Sequence, residues 1–154
     1  LDCTSNCYII PEYPAVASYE VLLALIEAAE GLRISNYHVG VTATTADFYA
    51  GQSRPAKASA SRMEDLLPMM QKARVLNFEM ETATLYTLAS LYGLRAGSVC
   101  AVYANRCRKE FNEGAGEENA IRVANEATKI LREWDIKKRK HKKKWLFPSL
   151  LTAQ

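Results

Sequence analysis

The sequence predicts an α/β layered protein with a largely parallel or mixed sheet, and three observations predict it. Short β-branched or apolar runs at 37–44, 75–78 and 97–104 alternate with helix-period segments at 18–31, 79–92 and 117–134. The 154 residues, 49% apolar and 24% charged, have the size and balance of one globular domain. A chain of this length can bury roughly 68–70% of its unfolded surface without disulfide staples or a structural metal.

Each element has its own signal. The first dozen residues, through Pro11 and Pro14, read as an irregular or extended lead-in, because each proline turns the residue before it away from helix. Ser18 is placed to cap a helix in which Val21, Leu22, Leu25, Ile26 and Ala29 share a face, with Gly31 as the stop. Residues 37–44 (YHVGVTAT) alternate like a strand and feed the loop 45–55, and loops after strand ends are where α/β proteins keep ligands. Residues 63–73 are helical in composition but contain Pro68, which predicts a short or broken helix. A short strand at 75–78 leads into a helix over 79–92, rich in Ala, Leu and Met, that closes at Gly93. Residues 97–104 (GSVCAVYA) are apolar on both faces, as a central strand covered by helices would be. The last helix, 117–134, carries Ile121, Ala124, Thr128, Leu131 and Trp134 near one stripe. The predicted organisation is a domain over 1–135 and a disordered basic tail over 136–154.

Net charge is +3, but residues 136–154 hold seven Lys/Arg and no acid, which leaves 1–135 with 13 basic and 17 acidic side chains. A mildly acidic body offers nucleic acid no basic face. The tail reads as a frame-shifted or read-through end, a solvated extension, or a patch for nucleic acid or a membrane surface. Apolar stretches such as 99–104 are far below the ~20 residues of a membrane helix, so a soluble, cytoplasmic protein is expected. Cys3, Cys7, Cys100 and Cys107 form no CxxC pair and the histidines are His38 and His141, which favours buried or free thiols over zinc. His38, inside a predicted strand, reads as a packed side chain rather than a catalytic one.

The sequence contains no GxGxxG, GxxxxGK[ST], HExxH or GxSxG, so dinucleotide, P-loop, zincin and hydrolase-elbow chemistry lack support. Two clusters remain. In DFYAGQSR (47–54), Gln52 offers a donor beside an acceptor and Arg54 offers only donors, a set that matches an imide edge such as that of uracil. Phe48 would add a flat apolar wall, while a merely solvated Gln/Arg loop is the competing explanation. In NFEMET (77–82), Glu79 and Glu81 flank Met80 where a strand turns into a helix. Acids there complement the helix dipole, yet a carboxylate at that point can also accept both hydroxyls of a ribose while methionine lies against the sugar.

The strings VTATTADFYAGQSR, VLNFEMETATLYTLASLYGLRAG and VCAVYANR resemble the uridine phosphorylase branch of the nucleoside phosphorylase family, from about Pro11 to Trp134. The resemblance implies a three-layer α/β/α fold with a central mixed sheet, incomplete at its N-terminal side. It implies that Gln52 and Arg54 bind the uracil edge with Phe48 packed nearby, that Glu79, Met80 and Glu81 hold the ribose, and that Arg106 supports the pyrimidine site. Arg54, Glu81 and Arg106 are thereby the expected catalytic residues. Purine enzymes of the family carry a Ser-Asp pair near the position of Asn105-Arg106; here Cys107 follows instead. The implied activity is reversible phosphorolysis of uridine to uracil and ribose 1-phosphate in pyrimidine salvage or catabolism, by a homo-oligomer (dimer or hexamer). Phosphate is the co-substrate, with no metal or organic cofactor. No residue here corresponds to the family's phosphate loop, so a non-catalytic remnant or interaction protein of the same fold is the alternative, beside a related purine phosphorylase or nucleosidase. No nucleic acid or membrane is an expected partner of the body.

Overall fold

Of the strand expected over 37–44, only β1 (Val41–Thr44) enters a ladder, because its partner β2 (Val75–Glu79) begins opposite Val41. The structure, a computed structural model, describes residues 4–52, 54 and 66–152, which divide into two compact units, one from the described residues of 4–16 and 38–96 and the other from 17–37 and 97–152. Cys3, Ser53, residues 55–65 and hence the start of the helix expected at 63 lie outside the described residues.

In the first unit β1 and β2 run parallel, with Thr44 opposite Glu79 and an irregularity between Val41 and Thr42. Gly40 passes beneath Leu76 so closely that a Cβ would lie 2.6 Å from its Cδ1. Parallel strands need a long crossover, and α2 (Leu66–Lys72) lies on this one, packed on β2. Pro68 is tolerated because it stands in the first turn, where its missing N–H has no intrahelical partner to lose. Helix α3 (Thr82–Leu91) packs on β1 and on a single 3-10 turn at Ser5–Cys7. It starts three residues later than expected, since Glu79 still belongs to β2. Its end is the one expected: Gly93 adopts φ +66° and Leu94 N–H donates to Ala89 O at 2.7 Å. His38 is exposed and precedes the ladder, so the packed strand histidine is not found.

The second unit is built on α1 (Tyr19–Gly31) against α4 (Glu117–Lys140). Their contact is Ala24, Ala28 and Ala29 against Val123 and Ala127, framed by Leu25, Ile130 and Trp134. This differs from the expected faces: Leu22 and Ile121 are exposed. Helix α1 is apolar nearly all round, so its period could not choose a face, and α4 docks where small side chains allow the backbones to approach. Arg33, not Gly31, takes the left-handed position that ends α1, at φ 58°. Of the strand expected over 97–104, only β3 (Ala104–Asn105) is in a ladder, antiparallel to β4 (Glu110–Phe111). Val99, Val102 and Cys100 are exposed, so the covered central strand is not seen among the described residues. Cys7, Cys100 and Cys107 are exposed rather than buried, and none is in a disulfide among the described residues.

The basic segment differs most from a disordered tail. Helix α4 continues past Asp135 to Lys140, and α5 (Pro148–Thr152) follows. Leu146 and Leu150 are buried, and Lys138 is buried against Glu20. Four cations in the last turn of α4 complement the negative end of its dipole, which charge counting alone reads as a solvated run. Among the described residues no helix is long and apolar enough to cross a membrane.

Candidate active site

Thr44 and Glu79 end neighbouring parallel strands as cross-strand partners, so the loop after β1 and the corner after β2 leave the same sheet edge. Thr45 N–H donates to Glu79 O at 2.9 Å and ties the two segments together.

The loop is pinned from within. Buried Thr45 donates its hydroxyl to Asp47 O at 3.1 Å, and Asp47 Oδ2 accepts from Gly51 N–H at 2.8 Å. A 3-10 turn at Ala50–Gln52 follows, and the amides of Gln52 and Arg54 both donate to Tyr49 O, at 3.2 and 2.8 Å. Gln52 is only 6% exposed, so the solvated-loop explanation does not describe it. The Arg54 guanidinium carbon lies 4.1 Å from the centroid of the Phe48 ring, and Tyr49 meets that ring edge-on at 5.5 Å. Phe48 therefore orients Arg54 as well as presenting apolar surface. The Arg54 Nε is buried and has no hydrogen-bond partner among the described residues. An orphaned buried donor is costly, which makes it a place for an acceptor to bind.

At the corner the two carboxylates divide their work. Glu79 Oε2 accepts from the amides of Glu81 at 2.8 Å and Thr82 at 2.6 Å. Its Oε1 accepts from the Thr44 hydroxyl, whose oxygen in turn accepts from Ala83 N–H at 2.9 Å. Burial pushes the Glu79 carboxyl up, but the hydrogen bonds from Thr44, Thr82 and the Glu81 amide outweigh it and hold the group below the usual carboxylate range. Glu79 thus fulfils the helix-capping explanation. Glu81 and Met80 are exposed, and the contact Glu81 makes there is with the neighbouring amide, Met80 N–H to Oε2 at 3.3 Å.

Phe48, Gln52, Arg54, Glu79, Met80 and Glu81 all belong to the first unit, whereas Arg106 belongs to the second. Arg106 is partly buried and opens the turn between β3 and β4, in which Asn105 Oδ1 accepts from Arg108 N–H at 3.1 Å. Thr44, Thr45 and Asp47 escaped sequence reasoning. Their signal was a run of polar residues at a strand's C-terminal end, where a buried strand would be apolar. Among the described residues no group of three or more His, Cys, Asp or Glu is placed to hold a metal.

The Gln52/Arg54 loop and the Met80/Glu81 corner thus leave one edge of the β1–β2 sheet, and sequence comparison places the chain in a family. Residues 2–134 match the family model described as the phosphorylase superfamily, and the chain belongs to that family. It is 54% identical over 152 residues to a uridine phosphorylase of Thermococcus kodakarensis, covering 97% of this chain and 54% of that protein. A uridine phosphorylase of Haemophilus influenzae is 40% identical over 138 residues, covering 85% of the chain and 54% of that protein. A guanosine phosphorylase of Halorubrum lacusprofundi is 35% identical over 102 residues, 66% of the chain and 37% of that protein. The chain thus spans about half the length of the curated relatives it matches. The Thermococcus match also takes in most of the segment beyond residue 134, where the family model ends.

Proposed function

We propose that this chain is the nucleoside-binding portion of a uridine phosphorylase, which reversibly converts uridine and phosphate to uracil and ribose 1-phosphate. The observation that carries this is the shared edge: Thr44 and Glu79 bring the Gln52/Arg54 loop and the Met80/Glu81 corner out side by side. One segment suits the base and the other the sugar. An oxygen of hydrogen phosphate attacks C1′ opposite the base, the C1′–N1 bond breaks with its electron pair leaving on the base, and the proton given up by the phosphate completes uracil. Positive charge develops on the sugar and negative charge on the ring carbonyls. Arg54, with a free Nε donor, stabilises the departing base, Gln52 matches the rest of the imide edge, and Glu81 fixes the ribose hydroxyls. No metal or organic cofactor enters this scheme.

A purine substrate is the second reading, favoured by the guanosine phosphorylase relative. Against it, a purine leaving group needs an acid to protonate N7, and Cys107 follows Asn105-Arg106 where the purine enzymes place a Ser-Asp pair. In keeping with the resemblance, the enzyme works in the cytoplasm as a homo-oligomer in pyrimidine nucleoside salvage. Incubation with phosphate and either uridine or guanosine, with release of free base followed, tests the assignment. Uracil release, or uridine binding without turnover, supports it. Preference for guanosine supports the purine reading, and indifference to both nucleosides supports a non-catalytic interaction protein.

A further inference from the structure

We propose that Thr44 and Glu79 form a positioning pair for Glu81: neither touches the nucleoside, and together they fix the backbone from which Glu81 reaches the ribose. This rests on the nucleoside reading of the site. The first amides of a helix have no intrahelical acceptor and must find one elsewhere. At α3 they find it in a side chain two residues before the N-cap and in another from the adjacent strand. Glu79 Oε2 takes the amides of Glu81 and Thr82, and Thr44 Oγ1 takes that of Ala83. Thr44 spends its one hydroxyl proton on Glu79 Oε1, so the carboxylate is held from both its oxygens. The N-cap itself is Glu81, at φ −128° and ψ −27°, outside the regular regions. Its backbone conformation is therefore dictated by groups on two strands rather than by the helix it opens.

The pair is also well placed to transmit a defect. Thr44 is buried, so removing its hydroxyl takes one donor from the Glu79 carboxylate and the acceptor from the Ala83 amide, beside the residue that must grip the ligand. Base recognition runs through the other segment, where the amides of Gln52 and Arg54 donate to Tyr49 O and that of Gly51 donates to Asp47 Oδ2. Damage to Thr44 is thus expected to fall on the sugar and not on the base. Thr42, on the same strand face and bonded to Asn77 O at 3.4 Å, serves as the control.

The test compares the unaltered chain with Thr44→Val, Thr44→Ser and Thr42→Val, using calorimetric titration of uridine and of uracil and carbon NMR titration of the Glu79 carboxyl. Thr44→Val is expected to weaken uridine about tenfold, the factor attached to one charge-assisted hydrogen bond, while leaving uracil unchanged. It is also expected to move the Glu79 midpoint up toward or past ~4.3, the unperturbed value. Thr44→Ser should restore both, and Thr42→Val should change neither. Equal losses for uridine and uracil, unaltered uridine binding in Thr44→Val, or failure of Ser to rescue would each overturn the pair's role. Should the unaltered chain bind neither ligand, the nucleoside reading fails by itself. The Glu79 titration then decides the pairing: an unmoved midpoint in Thr44→Val overturns it, and a raised one sustains it.

Discussion

The Lys138 ammonium donates to both carboxylate oxygens of Glu20, at 2.8 and 2.7 Å, across 118 residues of chain. Asp135 adds a second acid at 3.0 Å, and Leu146 N–H donates to Glu20 Oε1 at 3.1 Å. A buried acid on α1 therefore organises the end of α4 and the residues after it. Removing one partner leaves the other charged and desolvated, so Lys138→Met should lower unfolding free energy by about 3 kcal/mol, read by denaturant titration.

The same pair predicts an alkaline limit. Burial pulls the Lys138 ammonium down, but the hydrogen bonds and charges of Glu20 and Asp135 outweigh it and raise its pKa. A group raised on folding contributes fully below its unfolded value, ~10.4, and its contribution fades as pH climbs through the folded value. Stability measured between pH 9 and 12 should fall more steeply for the unaltered chain than for Lys138→Met, as an order-of-magnitude window around that value.

Glu79 predicts the opposite limit. Its carboxyl is held below the usual range, so its contribution is present above ~4.3 and is lost as pH falls through the folded value. Glu79→Gln should cost about 1 kcal/mol near neutrality, the order of a lost helix cap. It should also flatten the acid limb of a pH–stability curve followed by circular dichroism.

Leu150 is buried in a segment that charge counting reads as a tail. Leu150→Ala should cost about 2–3 kcal/mol if that leucine packs as core, and about zero if it is solvated. Ending the chain after Asp135 would remove Lys138, Leu146 and Leu150 together. The midpoint of thermal unfolding should then drop by more than for any one substitution.

How far the sequence was readable follows from what each signal measures. Turn chemistry was local and visible: Gly93 closes α3, and Pro68 sits in a short helix. Strand lengths were not visible, because a strand exists only where a partner lies, and residues 37–40 and 97–103 of the runs expected as strands enter no ladder. Helix faces failed where composition was uniformly apolar, as on α1, whose contact with α4 is the Ala24/Ala28 stripe. At the site, residue types pointed to Gln52, Arg54 and Glu81, and geometry separated Glu81 from Glu79. Thr44 was invisible because its importance comes from a cross-strand neighbour 35 residues away.

Binding of uridine and free uracil by the unaltered chain, Arg54→Ala and Glu81→Ala, measured in one calorimetric series, bears most directly on the assignment of base and sugar to separate segments. Arg54→Ala should weaken both ligands by about 1–3 kcal/mol, through an acceptor left unpaired on the ring. Glu81→Ala should weaken uridine and leave uracil untouched. Equal losses for both ligands in both variants, or no loss in either, would contradict that assignment.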